Sequence, residues 1–202
     1  GAAGNAACNA AALGGAVQMV GVVGADPNAD IVREAFRVRG VETSGIVCDP
    51  ARPTSTYGKL RASAPNRPSQ EVLRLDTPRP QPLPPAIEAQ VIRQVEARAP
   101  EADIILVGDQ VSATITPAVR DAIRAAARAH GCLCVADSRA RAHWMPDMDL
   151  VVPNDAEAAA ATGIAIEDDD SLDAAGAALL QVARNACITR GAAGISLFEP
   201  GQ

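Results

Sequence analysis

The sequence predicts an α/β protein, a three-layer arrangement in which a parallel sheet carries helices on both faces, with a small β lid. Three observations lead there. Strand-like and helical runs alternate along most of the 202 residues. The apolar fraction, 48%, is ample for a buried core in a chain of this length. Between residues 45 and 76 the alternation stops, and short β-like pieces separated by turn residues take its place.

The chain opens on Gly1-Ala2-Ala3-Gly4-Asn5, a small-residue run that suits a backbone passing close to a ligand. Ala6 to Leu13 then reads as a helix stopped at Gly14-Gly15, and Val17 to Val23 as one buried strand. Gly24-Ala25-Asp26-Pro27 turns the chain into a helix over Ala29 to Arg39, with Gly40 just past its end. The lid pieces are Gly45 to Val47, Ser55 to Ala62 and Glu71 to Leu75. Pro78, Pro80, Pro82, Pro84 and Pro85, within residues 77–85, predict an extended connector. Beyond it come a helix over Ala86 to Ala99 and a strand over Asp103 to Val107. Thr116 caps the next helix, with Pro117 at its first position and Gly131 past its end. Leu133 to Ala136, Leu150 to Val152, Ala186 to Thr189 and Gly194 to Phe198 read as strands, with helices after Asn154 and Ser171. Asp168-Asp169-Asp170 suits the positive end of the second of these helices. A calcium loop needs more ligands at defined spacing.

Charge narrows the function. With 18 Lys+Arg against 24 Asp+Glu the net charge is −6, the wrong sign for a general nucleic-acid binder. No run approaches the roughly 18 apolar residues of a membrane span, and the Ala-rich start lacks the basic flank of a signal peptide. The expected setting is the cytoplasm, with neither nucleic acid nor membrane as partner. Cys8, Cys48, Cys132, Cys134 and Cys187 are odd in number and mostly in apolar, strand-like surroundings, which predicts buried free thiols. Cys132-x-Cys134 is too closely spaced for a redox pair and reads as structural rather than metal-binding.

Ligands of a parallel α/β sheet bind at the carboxyl ends of its strands, and polar residues cluster there. Gly108-Asp109-Gln110, Asp137-Ser138-Arg139, Pro153-Asn154-Asp155-Ala156-Glu157 and Thr189-Arg190-Gly191 each follow a strand. Asn154-x-x-Glu157 is a capping-box pattern, and such a cap can also present a carboxylate to bound phosphates and Mg²⁺. His130 sits at a helix end as a dipole partner. His143 has no nucleophile or carboxylate at recognisable spacing, and no nucleophile elbow appears. A dinucleotide site would need a strand before the glycines and an acidic residue about twenty positions on. Only Asp26 is loosely so placed.

Gly1-Ala2-Ala3-Gly4-Asn5 through Leu13-Gly14-Gly15, then Val20-Gly21-Val22-Val23-Gly24-Ala25-Asp26, resembles the N-terminal signature of ribokinase-like (pfkB) carbohydrate kinases. Arg52-Pro53-Thr54 with Lys59 and Arg61, and Leu73-Arg74-Leu75-Asp76, are similar to the lid of the heptose-7-phosphate kinase branch. Pro153 to Glu157 is similar to the family's Asn-x-x-Glu motif, and Thr189-Arg190-Gly191-Ala192-Ala193-Gly194 to its nucleotide-side turn. The resemblance runs in order over nearly the whole chain.

It implies ATP-dependent phosphorylation of a sugar or sugar-phosphate hydroxyl, with ATP and Mg²⁺ as cofactors. Gly4 and Asn5 would contact sugar hydroxyls, and Lys59 and Arg61 would hold an anionic sugar phosphate unless they form only a solvated strand face. Asn154 and Glu157 would serve the phosphates, with Glu157 reaching Mg²⁺ through water. Thr189, Gly191 and Gly194 would line the nucleotide. Lid strands could pair two subunits as a homodimer. The heptose branch has Ser-Asp-Tyr at Gly108-Asp109-Gln110, and a Lys after an Asp-Pro at Asp137-Ser138-Arg139, which leaves the sugar open. Its catalytic Gly-Ala-Gly-Asp segment has no match here, so the expected catalytic Asp lies beyond Gln202 and the first strand before Gly1. Residues 1–202 thus read as an incomplete, inactive kinase domain; the alternative is a non-catalytic sugar- or nucleotide-binding module.

Overall fold

The first helix begins earlier than its glycines suggest. Helix α1 spans Ala2–Ala12, because alanine is the strongest helix former and Gly4 is tolerated where a neighbour needs the space. A side-chain carbon on Gly4 would sit 3.3 Å from the Phe36 ring. Gly4 and Asn5 therefore lie on a helix, not in the ligand-wrapping loop expected of them. The computed structural model describes residues 1–64, 66, 68–77, 82–109, 113–139 and 141–201. Pro78 and Pro80 of the expected connector, Gln110 and Gln202 lie outside the described residues. The chain divides into two units, Gly1–Val91 and Ile92–Gln202.

In the first unit, α1 packs through Ala7 onto Phe36 and Val41, with Val17, Met19, Val32 and Ile46 around them. The expected strand Val17 to Val23 is split. Strand β1 (Val17–Gln18) and strand β2 (Gly21–Val23) separate around Met19 and Val20. Helix α2 covers Pro27–Arg37. Strand β3 (Val41–Glu42) pairs parallel with β1, and strand β4 (Ile46–Cys48) parallel with β2. The split has a cause in the partner, whose own run is broken by a turn in which Ile46 N donates to the Thr43 carbonyl at 3.0 Å. Strands β5 (Tyr57–Ala62) and β6 (Gln70–Asp76) form an antiparallel hairpin with a register shift at Leu60/Arg61, exposed at every residue. Helix α3 (Pro85–Arg98) starts at the last of the clustered prolines and buries Ile87, Val91 and Val95 at four-residue spacing.

The second unit is built on one five-stranded sheet, ordered β11-β10-β9-β8-β7. Its elements are β7 (Ile104–Asp109), α4 (Pro117–His130), β8 (Leu133–Ser138), β9 (Leu150–Val151), α5 (Asp155–Thr162), α6 (Asp169–Leu179), β10 (Ala186–Thr189) and β11 (Ile195–Phe198). Strands β7 to β10 run parallel and β11 returns antiparallel on β10. Because the parallel strands add in one direction, the right-handed crossover rule sends α4, α5 and α6 to one face. Beneath those helices lie Val107, Cys134, Ala136, Val151, Ala186 and Ile188, all buried. Thr116 caps α4 as its sequence requires, accepting from Val119 N at 3.2 Å, and Gly131 ends it at φ 72.

Gly176, buried in α6, is where backbone approach is tightest. A side-chain carbon there would overlap the Phe198 ring on β11, including the ring's root atom Cγ. Alanine would add about 1 kcal/mol of helix propensity against overpacking in the upper part of its range, about 2–3 kcal/mol, because the root of a ring cannot swing aside. Gly176→Ala should therefore lower the urea unfolding free energy by about 1–2 kcal/mol, and Phe198→Leu in the same chain should remove most of that loss. Full stability in the single variant would disprove the contact.

Candidate functional site

Five of the residues singled out from the sequence meet where β9 and β10 end. Asn154 Oδ1 accepts from Glu157 N at 2.9 Å and Glu157 Oε2 accepts from Asn154 N at 3.0 Å, a complete capping box at the start of α5. Asn154 also bridges Thr189 in parallel register, with Thr189 N donating to the Pro153 carbonyl at 2.9 Å. The start of α5 and the end of β10 are thus side by side. Past Thr189 the chain makes a 3-10 turn over Gly191–Ala193, closed by Arg190 N donating to the Gly194 carbonyl at 2.8 Å. Gly191 and Gly194 have φ of 54° and 90°, a region that favours glycine. A side-chain carbon on either would meet nothing within 4 Å, so the space above this turn is open.

The donors present fit a nucleotide with its magnesium. Glu157 gives Oε2 to the capping box and keeps Oε1 outside it, a single carboxylate oxygen of the kind that reaches a hydrated Mg²⁺ through water. Among the described residues no group of three or more His, Cys, Asp or Glu is placed to hold a metal by itself. Next to the turn, Asp168 caps α6, and bonding to Ser171, first from its hydroxyl and then its backbone N–H, holds the Asp168 carboxyl below the usual carboxylate range.

A second cluster lies at the ends of β7 and β8, and its cation comes from outside the polar runs that follow those strands. Asp109 and Ser138 face each other in register, both buried, with Ser138 Oγ donating to Asp109 Oδ2 at 2.8 Å. Arg141, not Arg139, closes the group. Its Nε and Nη2 reach the two Asp109 oxygens at 2.9 and 2.5 Å, and its backbone N donates to Ser138 Oγ at 3.0 Å. Arg139 is exposed, and Asp137 alternates to the other face of β8. Trp144 lies between two guanidinium groups, Arg141 at 4.4 Å and Arg120 at 4.5 Å from its ring centre, a double cation–π contact. Strand register could have revealed Asp109 with Ser138. Nothing in the local sequence points to Arg141, which reaches back from an irregular segment.

In the first unit the sugar-side residues are spread over two elements. Asn5 is exposed on α1, and Gly4 beside it is half-buried against Phe36. Lys59 and Arg61 alternate on β5 and share a face of the hairpin. Lys59 Nζ is 2.9 Å from Glu71 Oε2, with the side chains 56% and 40% exposed. So exposed a pair contributes about 0–1 kcal/mol, and an incoming anion can replace it. Asp26 is unavailable to a ribose. Its carboxyl is held below the usual range, chiefly by the Thr54 backbone N–H, and it also caps α2.

The thiols divide. Cys132 and Cys134 are buried, and burial pushes the Cys134 thiol up to about 12, which disfavours the thiolate a metal or a redox exchange would need. Cys48, expected to be buried, is exposed, because strand alternation turns it away from buried Val47.

Comparison with known proteins is consistent from end to end. The pfkB family carbohydrate kinase profile matches residues 1–202. The bifunctional protein HldE of Geobacter sulfurreducens is 36% identical over 204 residues, covering 100% of this chain and 41% of that protein. HldE of Caulobacter vibrioides is 35% identical over 206 residues, again covering 100% of this chain and 41% of its own length. The chain thus spans about two fifths of these curated relatives. Among solved structures, Arabidopsis thaliana ribokinase complexed with ribose and ATP superposes with a TM-score of 0.70 at 19% identity, covering 99% of this chain and 63% of that one. Phosphofructokinase-2 of Escherichia coli in complex with fructose-6-phosphate gives 0.73 at 17% identity, covering 98% and 64%. At these identities the structural matches establish the ribokinase fold.

The Asp109 cluster yields a test of its own. Removing Arg141, whose side chain is 36% exposed, strands an Asp109 carboxylate that is 2% exposed. Arg141→Ala should cost about 2–4 kcal/mol in denaturant unfolding, less than a fully buried pair because Arg141 is partly solvated. Adding Asp109→Asn to that variant should recover much of the loss. A cost below about 1 kcal/mol would show that Asp109 does not depend on Arg141.

Proposed function

The chain belongs to the pfkB family of carbohydrate kinases, and from that membership we propose that its parent protein transfers the γ-phosphoryl group of ATP to a hydroxyl of a sugar phosphate of the heptose 7-phosphate class. The observation that carries this reading is the convergence of Asn154, Glu157, Thr189, Gly191 and Gly194 on adjacent strand ends. Thr189 and the open Gly191–Gly194 turn line the nucleotide. The first turn of α5 directs backbone N–H groups and its dipole toward phosphate. Glu157, fixed by its bond to Asn154, would hold Mg²⁺ through water. When bound, MgATP supplies the phosphoryl group and part of the neutralising charge. On the sugar side, Asn5 with Gly4 meets hydroxyls and the Lys59/Arg61 face of the hairpin holds the substrate's phosphate. The exposed hairpin, with Leu60, Val72, Leu73 and Leu75 on it, is also the surface through which two subunits would pair.

Residues 1–202 hold no Gly-Ala-Gly-Asp segment, so we infer that they bind substrates without turning them over. The free thiols and acidic surface suit the cytoplasm.

Glu157→Gln tests the nucleotide side cleanly, because glutamine also completes a capping box while removing the charge. Calorimetric titration should show MgATP binding weakened about tenfold, worth about 1.4 kcal/mol, with an unchanged melting temperature. Equal affinity in both proteins would rule out this role for Glu157. Residues 1–202 mixed with ATP, Mg²⁺ and D-manno-heptose 7-phosphate should release no sugar-dependent ADP. Turnover would overturn the inferred inactivity, and failure to bind MgATP would count against the nucleotide site.

A further inference from the structure

One carboxylate joins the start of α2 to the segment that leads into the β5–β6 hairpin. Asp26 Oδ1 accepts from Ala29 N at 3.0 Å, the ordinary helix cap. Asp26 Oδ2 accepts from Thr54 N at 2.7 Å, a residue 28 positions away. Thr54 answers in kind, its Oγ1 accepting from Gly24 N at 2.9 Å. The joint is tight on the Thr54 side, with Asp26 half-buried at its edge. Thr54 and Asp49 are 4% and 3% exposed, and a side-chain carbon on Gly24 would overlap the Arg52 carbonyl oxygen and lie 2.8 Å from Thr54 N. Asp49 holds the same segment from its other end, accepting from Ala51 N at 3.0 Å and Arg52 Nε at 2.9 Å. Two residues past Thr54, Thr56 N donates to Thr77 Oγ1 at 2.7 Å and ties the feet of the hairpin to each other.

A helix cap uses one oxygen, and serine would supply it. The second oxygen of Asp26 serves only the approach to the hairpin. We propose that Asp26 is a positioning residue, which through Thr54 sets the angle at which β5 carries Lys59 and Arg61, separately from its role as the cap of α2. The proposal rests on the reading of those two cations as the holders of a sugar phosphate. Leverage makes the joint matter. Lys59 stands five residues beyond Thr54, about 17 Å of extended chain, so a rotation of about 10° at the root shifts it by about 3 Å, the length of an ion-pair contact.

Asp26→Ser separates the two roles, because its hydroxyl can cap α2 but is too short to reach Thr54 as well. In residues 1–202, backbone residual dipolar couplings report orientation on timescales to milliseconds. In Asp26→Ser the couplings of Tyr57–Ala62 and Gln70–Asp76 should fall to half or less of their wild-type magnitude, with those of Pro27–Arg37 unchanged. Thr54→Val, which leaves the cap intact and removes the acceptor for Gly24 N, should act in the same direction and decides the matter if Asp26→Ser does not fold. Unchanged hairpin couplings, or equal losses in α2 and the hairpin, would overturn the joint. Titration with D-manno-heptose 7-phosphate should give a dissociation constant raised at least fivefold in Asp26→Ser. If the wild-type chain does not bind that probe while the couplings change as stated, the joint stands and the substrate reading of Lys59 and Arg61 falls.

Discussion

Each time a strand gives way to a helix, the first turn of that helix exposes backbone N–H groups that nothing inside the helix can accept. The architecture of this chain depends on how those donors are met. Asp26, Thr116 and Asn154 each supply a side-chain oxygen at such a junction. Because the junctions lie where strands end, the capping residues also sit where an α/β fold receives its ligands. Capping and binding therefore draw on the same positions. Asn154 with Glu157 shows the economy of this: one oxygen of the carboxylate completes the cap, and the other lies outside it.

The two units treat charge differently. In the second, Asp109 is buried and its charge is met by Arg141, whose guanidinium in turn lies on Trp144. A group so fully engaged orders the strand ends rather than acting on a substrate. In the first, Lys59 and Arg61 stand on an exposed hairpin where screening keeps any one pairing weak. Weak pairing suits the phosphate-holding role proposed for them, since such a cation must exchange partners when an anion arrives. Hydrogen bonds between Asp26, Thr54 and Gly24 tie the approach to that hairpin to the start of α2.

Local chemistry was readable in the sequence, and distant chemistry was not. Thr116, Pro117 and Gly131 bound α4 as expected, and Asn154 to Glu157 formed the box their spacing implies, because a cap involves residues within one turn. The turn over Gly191 to Gly194, expected from the family resemblance, also formed, with both glycines at positive φ. Val17 to Val23 read as one strand but became two, since a strand's continuity is decided by its partner and the partner contains a turn. Asn5 was assigned to a loop because glycine flanks it. The Phe36 ring that excuses Gly4 from helix-breaking lies 32 positions away.

By itself, then, the sequence determined the alternation of strands and helices, the caps at Thr116 and Asn154, and the family to which the chain belongs. These rest on spacing and residue type within a few positions. Only the tertiary structure decided that Arg141 rather than Arg139 neutralises Asp109, and that Asp26 reaches Thr54 as well as its own helix. Both depend on two backbone segments being brought within hydrogen-bond distance by packing. Such contacts leave no periodic trace in a single chain, because the partner of a buried carboxylate is chosen by geometry rather than by neighbourhood in sequence.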